Sequence, residues 1–329
     1  MKWPGYICTC RLIRWLALLA AALAICPAVH AQTFPERTVK LIVPVPPGGS
    51  TDAVARLVTL RMQAILGQPV IIENQPGAGG LIAARAVAAA NPDGYTLLIG
   101  GIGTLSIGPS VKTPDFNAAV VFAPIGTVST ETMVLVVNPK VPANTLDAFV
   151  RYAKTSGGKL NYGSAPGITP HFVSELFKLK TGADIVHIPY KGAGPVVTDL
   201  LAGQIDMAFN TKSVLLQLVK QDRLRALAVT SAARWPELPE VPTLTEAGIF
   251  PYAIEVWWGI VGPAGLPRAV VARLNGAIND ILAQPDFKEK MYEAGADAIP
   301  MSVDEFTTFM RAESDKYLGI IQETGIKPE

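Results

Sequence analysis

Cysteine is scarce in this chain and badly placed for chemistry: Cys8, Cys10 and Cys26 all fall within the first 31 residues. If that segment is a leader removed on export, the remainder holds no thiol. Neither a disulfide framework nor thiolate catalysis is then open to it. Histidine is nearly as rare. His30 lies in the same segment, leaving only His171 and His187, too far apart in sequence to suggest a metal cluster. Charged residues make up 17% of the chain and the formal net charge is +1, which lacks the basic footprint of a nucleic-acid binder. No block of like charges marks a tail or a membrane-surface helix. Nucleotide signatures are missing too. There is no Walker pattern, and after Gly101-Ile102-Gly103 the place of a third glycine is held by Ser106.

Apolar residues are what the chain has in plenty. They are 50% of its 329 residues, enough for a large core and for two domains, and they argue against disorder. The first 31 residues read as a secretory signal peptide. Lys2, Arg11 and Arg14 give a positive start, Trp15 to Ile25 an apolar run, and Ala28-Val29-His30-Ala31 a small-residue site with cleavage expected after Ala31. The run is shorter than the roughly 20 residues that span a bilayer. Ile25 is too large to precede a lipidated Cys26. Without Lys2, Arg11 and Arg14 the chain keeps 25 basic and 27 acidic residues, a net charge of −2. A nearly neutral, exported globular protein is expected.

Pro46-Pro47-Gly48-Gly49-Ser50-Thr51-Asp52 is the stretch the rest is organised around. It follows a β-branched strand pattern, Thr38 to Val45, and precedes a helical pattern from Ala53 to Leu66 that stops at Gly67. Ser50, Thr51 and Asp52 are all good helix caps. A strand, a Gly-Gly turn and a helix start aim unpaired backbone N–H groups and a positive dipole end at one point, which suits an anion. On residue types alone an ordinary βα turn fits as well.

The pattern returns twice. Leu160 to Gly163 reads as a strand, Ser164-Ala165-Pro166-Gly167-Ile168 as a loop, and Thr169 as the cap of a helix with Pro170 first. Asp184 to Tyr190 is a strand leading into Lys191-Gly192-Ala193-Gly194 and a further helix. Gly100 to Thr104 is another glycine-rich strand end, Val120 to Val128 and Met133 to Val137 read as two strands, and Asn210 closes a strand from Ile205 to Phe209. Strand neighbours face opposite ways, so of Trp257 and Trp258 one is expected in the core and the other at a cleft or the surface. The alternation of strands and helices implies an α/β architecture with two largely parallel sheets, ligands sitting at the carboxyl ends of their strands.

Catalytic readings are thin. Ser164 and His171 are conceivable as the pair of a secreted α/β hydrolase. No acidic orienter is evident, however, and Gly163-Ser164-Ala165-Pro166-Gly167 is not the Gly-x-Ser-x-Gly elbow. His187, in an apolar strand, reads as a packed and hydrogen-bonded histidine.

Taken together, the segments resemble the Bug family, the extracytoplasmic solute receptors of tripartite tricarboxylate transport systems. The resemblance rests on Pro47-Gly48-Gly49-Ser50-Thr51-Asp52 with Ala55-Arg56, on Glu73-Asn74-Gln75-Pro76-Gly77-Ala78-Gly79-Gly80, and on Pro92-Asp93-Gly94-Tyr95-Thr96-Leu97-Leu98. Tyr162-Gly163-Ser164, Ile188 to Pro195, Leu200 to Asp206, Arg225 to Thr230 and Val241-Pro242-Thr243 extend it over nearly the whole exported chain. It implies a two-domain periplasmic binding protein of the type-II-like clamshell kind, with no enzymatic activity and no cofactor. The mixed, mostly parallel sheets would be divided as 32–132 plus 255–329 and 133–254. In similar proteins one βα loop per domain grips a ligand carboxylate through amides, hydroxyls and bridging waters. By position these are Gly48, Gly49, Ser50, Thr51 and Asp52, and Ser164 to Thr169. Gly101, Thr104, Lys191, Gly192, Ala193 and Asn210 line the rest of the cleft.

The implied ligand is a small organic carboxylate, and the implied partner a tripartite tricarboxylate permease or a sensor. A monomer is expected. Position 210 is often Asp in the family. Asn210 removes a partner for a ligand ammonium, which favours a plain mono- or dicarboxylate over an amino acid.

Overall fold

The computed structural model describes residues 34–48, 50–107 and 118–325, without the side chains of 50, 106, 107, 118 and 119. The expected leader and its cleavage site lie outside these residues, as does Gly49. The chain divides at Glu36, and all that follows concerns Arg37 onward.

Three parallel strands come first: β1 (Val39–Val43), β2 (Val70–Asn74) and β3 (Thr96–Gly100), with β1 in the middle. Their apolar β-branched runs are what a strand buried on both faces requires. Between them lie α1 (Ser50–Leu66) and α2 (Leu81–Ala88). A second set contains β5 (Leu160–Ser164), β6 (Ile185–Pro189) and β7 (Met207–Thr211), with β5 in the middle and again parallel. Its helices are α3 (Leu146–Thr155), α4 (Thr169–Thr181), α5 (Ala193–Ala202) and α6 (Lys212–Lys220), and β8 (Arg225–Val229) follows.

Two long strands join the sets. The segments expected as separate strands at 120–128 and 133–137 are one, β4 (Phe122–Val137). Its first part pairs antiparallel with β9 (Glu255–Pro263), from Phe122↔Pro263 to Thr132↔Glu255. From Met133 onward it pairs antiparallel with β7 and β8. The strands therefore form one linked order, β2-β1-β3-β9-β4-β7-β5-β6, with β8 and the short β10 (Asp297–Ala298) also on β4. This corrects the expectation of two largely parallel sheets. The parallel pairs lie at the two ends, and every pair involving β4 or β9 is antiparallel. A βαβ crossover makes parallel neighbours, whereas a strand passing between sets meets each from the other direction.

The chain ends in α7 (Arg268–Ala283), α8 (Pro285–Glu293) and α9 (Val303–Thr324). Ser302 and Glu305 close α9 with a reciprocal capping box. Residues Met133 to Val137 are all fully buried and alternate between two apolar clusters. Met133, Leu135 and Val137 join the larger one with Phe149, Phe177, Trp257 and Tyr317. Val134 and Val136 face Leu200, Leu215 and Trp235. Both faces of the joining strand are thus core, which makes it a stiff frame for the loops at its sides.

Candidate functional site

The first loop begins where β1 ends. α1 starts at Ser50, so Ser50, Thr51 and Asp52 form its first turn rather than its cap, a correction to the boundary read from apolar spacing. Asp52 is 2% exposed and both its oxygens are occupied. Oδ2 accepts from the Gly48 N–H at 3.0 Å and from Arg56 Nε at 2.8 Å. Oδ1 accepts from Arg56 Nη2 at 3.2 Å and from Asn74 Nδ2 at 2.9 Å. Burial alone pushes this carboxyl up, but the bonds from Arg56, Asn74 and Gly48 outweigh it and hold it at about 2. Gly48 has a left-handed φ of +91°, and its N–H is turned back to Asp52. Thr51 Oγ1 accepts from Trp258 Nε1 at 2.9 Å. Asp52 and Gly48, expected from sequence among the ligand groups, fasten the loop to its own helix.

Both tryptophans are buried, so neither lies at the surface. They face opposite ways, as expected of strand neighbours. Trp257 packs edge-on against Phe306 and Phe309 of α9, while Trp258 reaches the first turn of α1.

Beyond β3, Gly101 turns the chain tightly. A Cβ there would lie 2.2 Å from the Trp257 carbonyl oxygen, so no other residue fits. Its own carbonyl accepts from the amides of Thr104 and Leu105 at 3.1 and 2.8 Å. Thr104 packs its side chain against Gly80, which has room for no Cβ of its own.

The second loop leaves β5. Ile168 is the cap residue of α4, Thr169 the first helical residue and Pro170 the second, and no side chain caps at Ile168. This corrects the reading of Thr169 as the cap. Thr169 is buried, and one turn further along α4 Phe172 packs against Tyr317 of α9. The capping group is His171, whose Nδ1 accepts from the Gly167 N–H at 3.2 Å. Gly167 has φ +72°. The two loops therefore share one device: the third helical residue reaches back four positions to the N–H of a left-handed glycine. Asp52 supplies it in one and His171 in the other.

Ser164 is 3% exposed. Its Oγ lies 2.8 Å from His187 Nε2, which is also 3.2 Å from the Ser164 carbonyl oxygen. His187 is thus the packed, hydrogen-bonded residue expected, and it takes the place beside Ser164 that the hydrolase reading gave to His171. The ring of His187 stacks on Tyr162 at 4.7 Å and on His171 at 4.4 Å. Burial, then the neighbouring His187, pushes His171 down to about 4, with Glu175 opposing. Burial lowers His187 as well, against its bond to the Ser164 carbonyl.

The Gly101–Thr104 turn meets the second loop, since a Cβ on Gly103 would stand 3.5 Å from the Gly167 carbonyl oxygen. Ser164 is tied to the third loop through Tyr190 N–H at 3.0 Å. There Lys191 is exposed, Gly192 precedes α5 and Ala193 is its first residue. Asn210 lies inside β7 rather than at its end. It is 7% exposed, and Oδ1 accepts from the Thr211 N–H at 2.9 Å. Sequence reasoning missed the roles of Trp258 and Tyr317, and it set His171 rather than His187 beside Ser164. The roles of Arg56 and Asn74 were visible only as members of quoted motifs.

A surface cavity of about 750 Å³ lies elsewhere, between α3, β8 and the 234–247 connection. Its arginines are spent on the protein itself. Arg225 donates to the Val141 and Ala143 carbonyls, and Arg234 pairs with Glu246. Among the described residues no group of three His, Cys, Asp or Glu stands together as a metal site would.

Paired βα loops stapled to their own helices, set on two strand groups joined by long crossover strands, define the class: a two-lobed solute-binding protein. Residues 54–326 match the model of the tripartite tricarboxylate transporter family receptor, and the chain belongs to that family. BugT of Bordetella pertussis is 36% identical over 323 residues, 96% of this chain and 98% of that one. Among solved structures, R. palustris Rpa4515 with adipate is 33% identical with a TM-score of 0.83, covering 90% of this chain and 100% of that one. The periplasmic binding protein BugD is 31% identical with a TM-score of 0.80, at the same coverage. MatC from Rhodopseudomonas palustris with bound malate is 30% identical with a TM-score of 0.78, covering 88% and 100%. The family is one of solute-binding receptors, and no relative supports the hydrolase alternative.

Proposed function

We propose that this receptor captures a small organic carboxylate, in first place a dicarboxylate, between lobes formed by residues 32–132 plus 255–329 and 133–254. The observation that carries the reading is the shared loop device. Two βα loops, one in each strand group, are each held open toward an anion by a side chain that takes up the glycine N–H behind it. Fixed main-chain donors suit a carboxylate, because little ordering entropy is lost when it binds. The amides of Gly49, Ser50 and Thr51 would serve one end, and Ser164 with the start of α4 the other. Gly101, Thr104, Lys191, Gly192, Ala193 and Asn210 would shape the walls.

Asn210 offers no acid to a ligand ammonium, and relatives with adipate and malate bind acids that carry none. The chain would act in the periplasm after cleavage at Ala31, as a monomer without turnover, and deliver its ligand to a tripartite-type permease or a sensor.

A thermal-shift screen over mono-, di- and tricarboxylates and acidic amino acids tests this. A ligand at 100 times its Kd adds about 2.7 kcal/mol, a rise of several degrees. Dicarboxylates should score. A response to aspartate or glutamate alone would overturn the dicarboxylate assignment. Ser50→Pro probes the first loop. Proline is at home in the first turn of a helix, so the fold should persist while one N–H donor disappears. Affinity should fall at least about ten-fold, the worth of one charge-assisted bond; an unchanged affinity removes this loop from the site.

A further inference from the structure

We propose that the stacked pair His171 and His187 is the positioning element of the second loop, clamping its two ends as neutral imidazoles, and that ligand retention therefore weakens in acid. The inference rests on the carboxylate reading above and names the regulation of that same site.

The two rings hold different ends of one short loop. His171 Nδ1 receives the Gly167 N–H, so this nitrogen must be the unprotonated one. His187 Nε2 sits 3.2 Å from the Ser164 carbonyl oxygen and 2.8 Å from its hydroxyl. A carbonyl only accepts, so holding it takes the tautomer with the proton on Nε2, and that is the tautomer assigned here. Ser164 is then not activated as a nucleophile, because its neighbour offers no lone pair on that side. Its hydroxyl proton is free to turn toward a bound anion.

The rings lie 4.4 Å apart, centroid to centroid, close enough that charging one opposes charging the other. The other groups facing them are few. Glu175 is bonded to the Tyr162 hydroxyl at 2.6 Å and to Lys178 at 2.8 Å, so its charge is already shared. Lys178 itself stands over the Tyr162 ring at 5.7 Å. Protonating His171 turns its Nδ1 from acceptor to donor, facing the Gly167 N–H donor to donor. The loop must then open at its glycine.

Asp52 shows what would substitute. It reaches Gly48 over the same four residues at 3.0 Å, so an Asn oxygen at position 171 can reach Gly167 and cannot titrate. The experiment compares the wild-type chain, His171→Asn and His171→Phe. Amide exchange at Gly167 and imidazole nitrogen NMR are followed from pH 7.5 to 4, together with binding of adipate and malate.

In the wild type, Gly167 should be protected at pH 7.5 and lose protection by at least ten-fold as His171 protonates. His171→Asn should stay protected throughout, and His171→Phe should be unprotected at every pH. Affinity should follow the same order. Equal Gly167 protection in wild type and His171→Phe overturns the clamp, whatever binds. If the exchange pattern holds but neither acid nor any other carboxylate binds, the carboxylate reading fails and the clamp stands. Affinity that is independent of pH in the wild type, with exchange as expected, overturns the acid-release part.

Discussion

Asp52 and His171 stand at the same place in two helices with little sequence in common, and chemistry explains why one is an acid and the other an imidazole. Asp52 has Arg56 one turn on and Asn74 from the next strand to balance a buried charge. His171 has an aromatic stack and no cation at its Nδ1. Each thus takes the glycine N–H in the protonation state its surroundings favour. Because Asp52 is held at about 2 instead of its ordinary 3.8, the bonds contribute stability above pH 3.8 that is lost as pH falls through 2. Asp52→Ala should cost roughly 1–2 kcal/mol at pH 7, since it removes the acceptor that Arg56, Asn74 and the Gly48 N–H share. Denaturant unfolding at pH 7 measures this, and a cost under about 0.5 kcal/mol would show that the loop is held elsewhere. Gly101→Ala should be worse, because its Cβ meets a backbone carbonyl that cannot turn aside.

Elements were legible where periodicity was strong and ambiguous where two strands met end to end. Apolar spacing reads three closing helices, Pro267 to Leu282, Phe287 to Glu293 and Val303 to Glu323, and the observed helices at 268–283, 285–293 and 303–324 lie within two residues of these bounds. The Ser50 helix starts three residues early because an acid at its third position, not a hydroxyl before it, closes its first turn. β4 reads as two strands because Ser129, Thr130, Glu131 and Thr132 interrupt its apolar run. Ser129, Thr130 and Glu131 are buried polar residues at the crossing point, Thr132 is half-buried, and only the fold shows what they meet. Glu131 is the telling one. It is 2% exposed and accepts the Ser213 N–H at the start of α6, 2.7 Å away. Burial pushes its carboxyl up to about 7 against that bond and those of the nearby hydroxyls, with Asp297 adding repulsion. A raised folded-state value means stability that is complete below pH 4.5 and lost as pH rises through about 7. Glu131→Gln keeps an acceptor for Ser213 without the charge. Its stability relative to wild type should grow from pH 5 to pH 8 by roughly 1–3 kcal/mol. Parallel urea titrations at the two pH values would give the slope, and a flat difference would show the crossing point to be wet.

At the scale of the whole molecule, the fold class and the places of both loops followed from strand-glycine-helix spacing, but how the lobes hold each other did not. That depends on contacts between residues far apart in sequence, and Tyr317 is the clearest. Its ring is fully buried on α9 and lies edge-on to Phe172 of α4 at 5.9 Å, while its hydroxyl donates to the Glu255 carbonyl oxygen of β9 at 3.5 Å. In the lobe division proposed here α9 belongs to one lobe and α4 to the other, so this ring contact exists only while they are shut at that edge. A ligand can favour closure only by what it gains in the closed state, and any bond made solely there adds to its apparent affinity. Tyr317→Leu removes the ring pair with Phe172 and keeps an apolar side chain in its place. The loss should be about 1 kcal/mol, which is about a five-fold weaker Kd. Small-angle scattering of the unliganded variant should show a larger radius of gyration than wild type, with the two converging at saturating ligand. If affinity falls with no change in scattering, Tyr317 serves the second loop locally through Phe172. If neither moves, α9 and α4 stay joined in the open receptor and the hinge lies elsewhere than at the ends of β4 and β9.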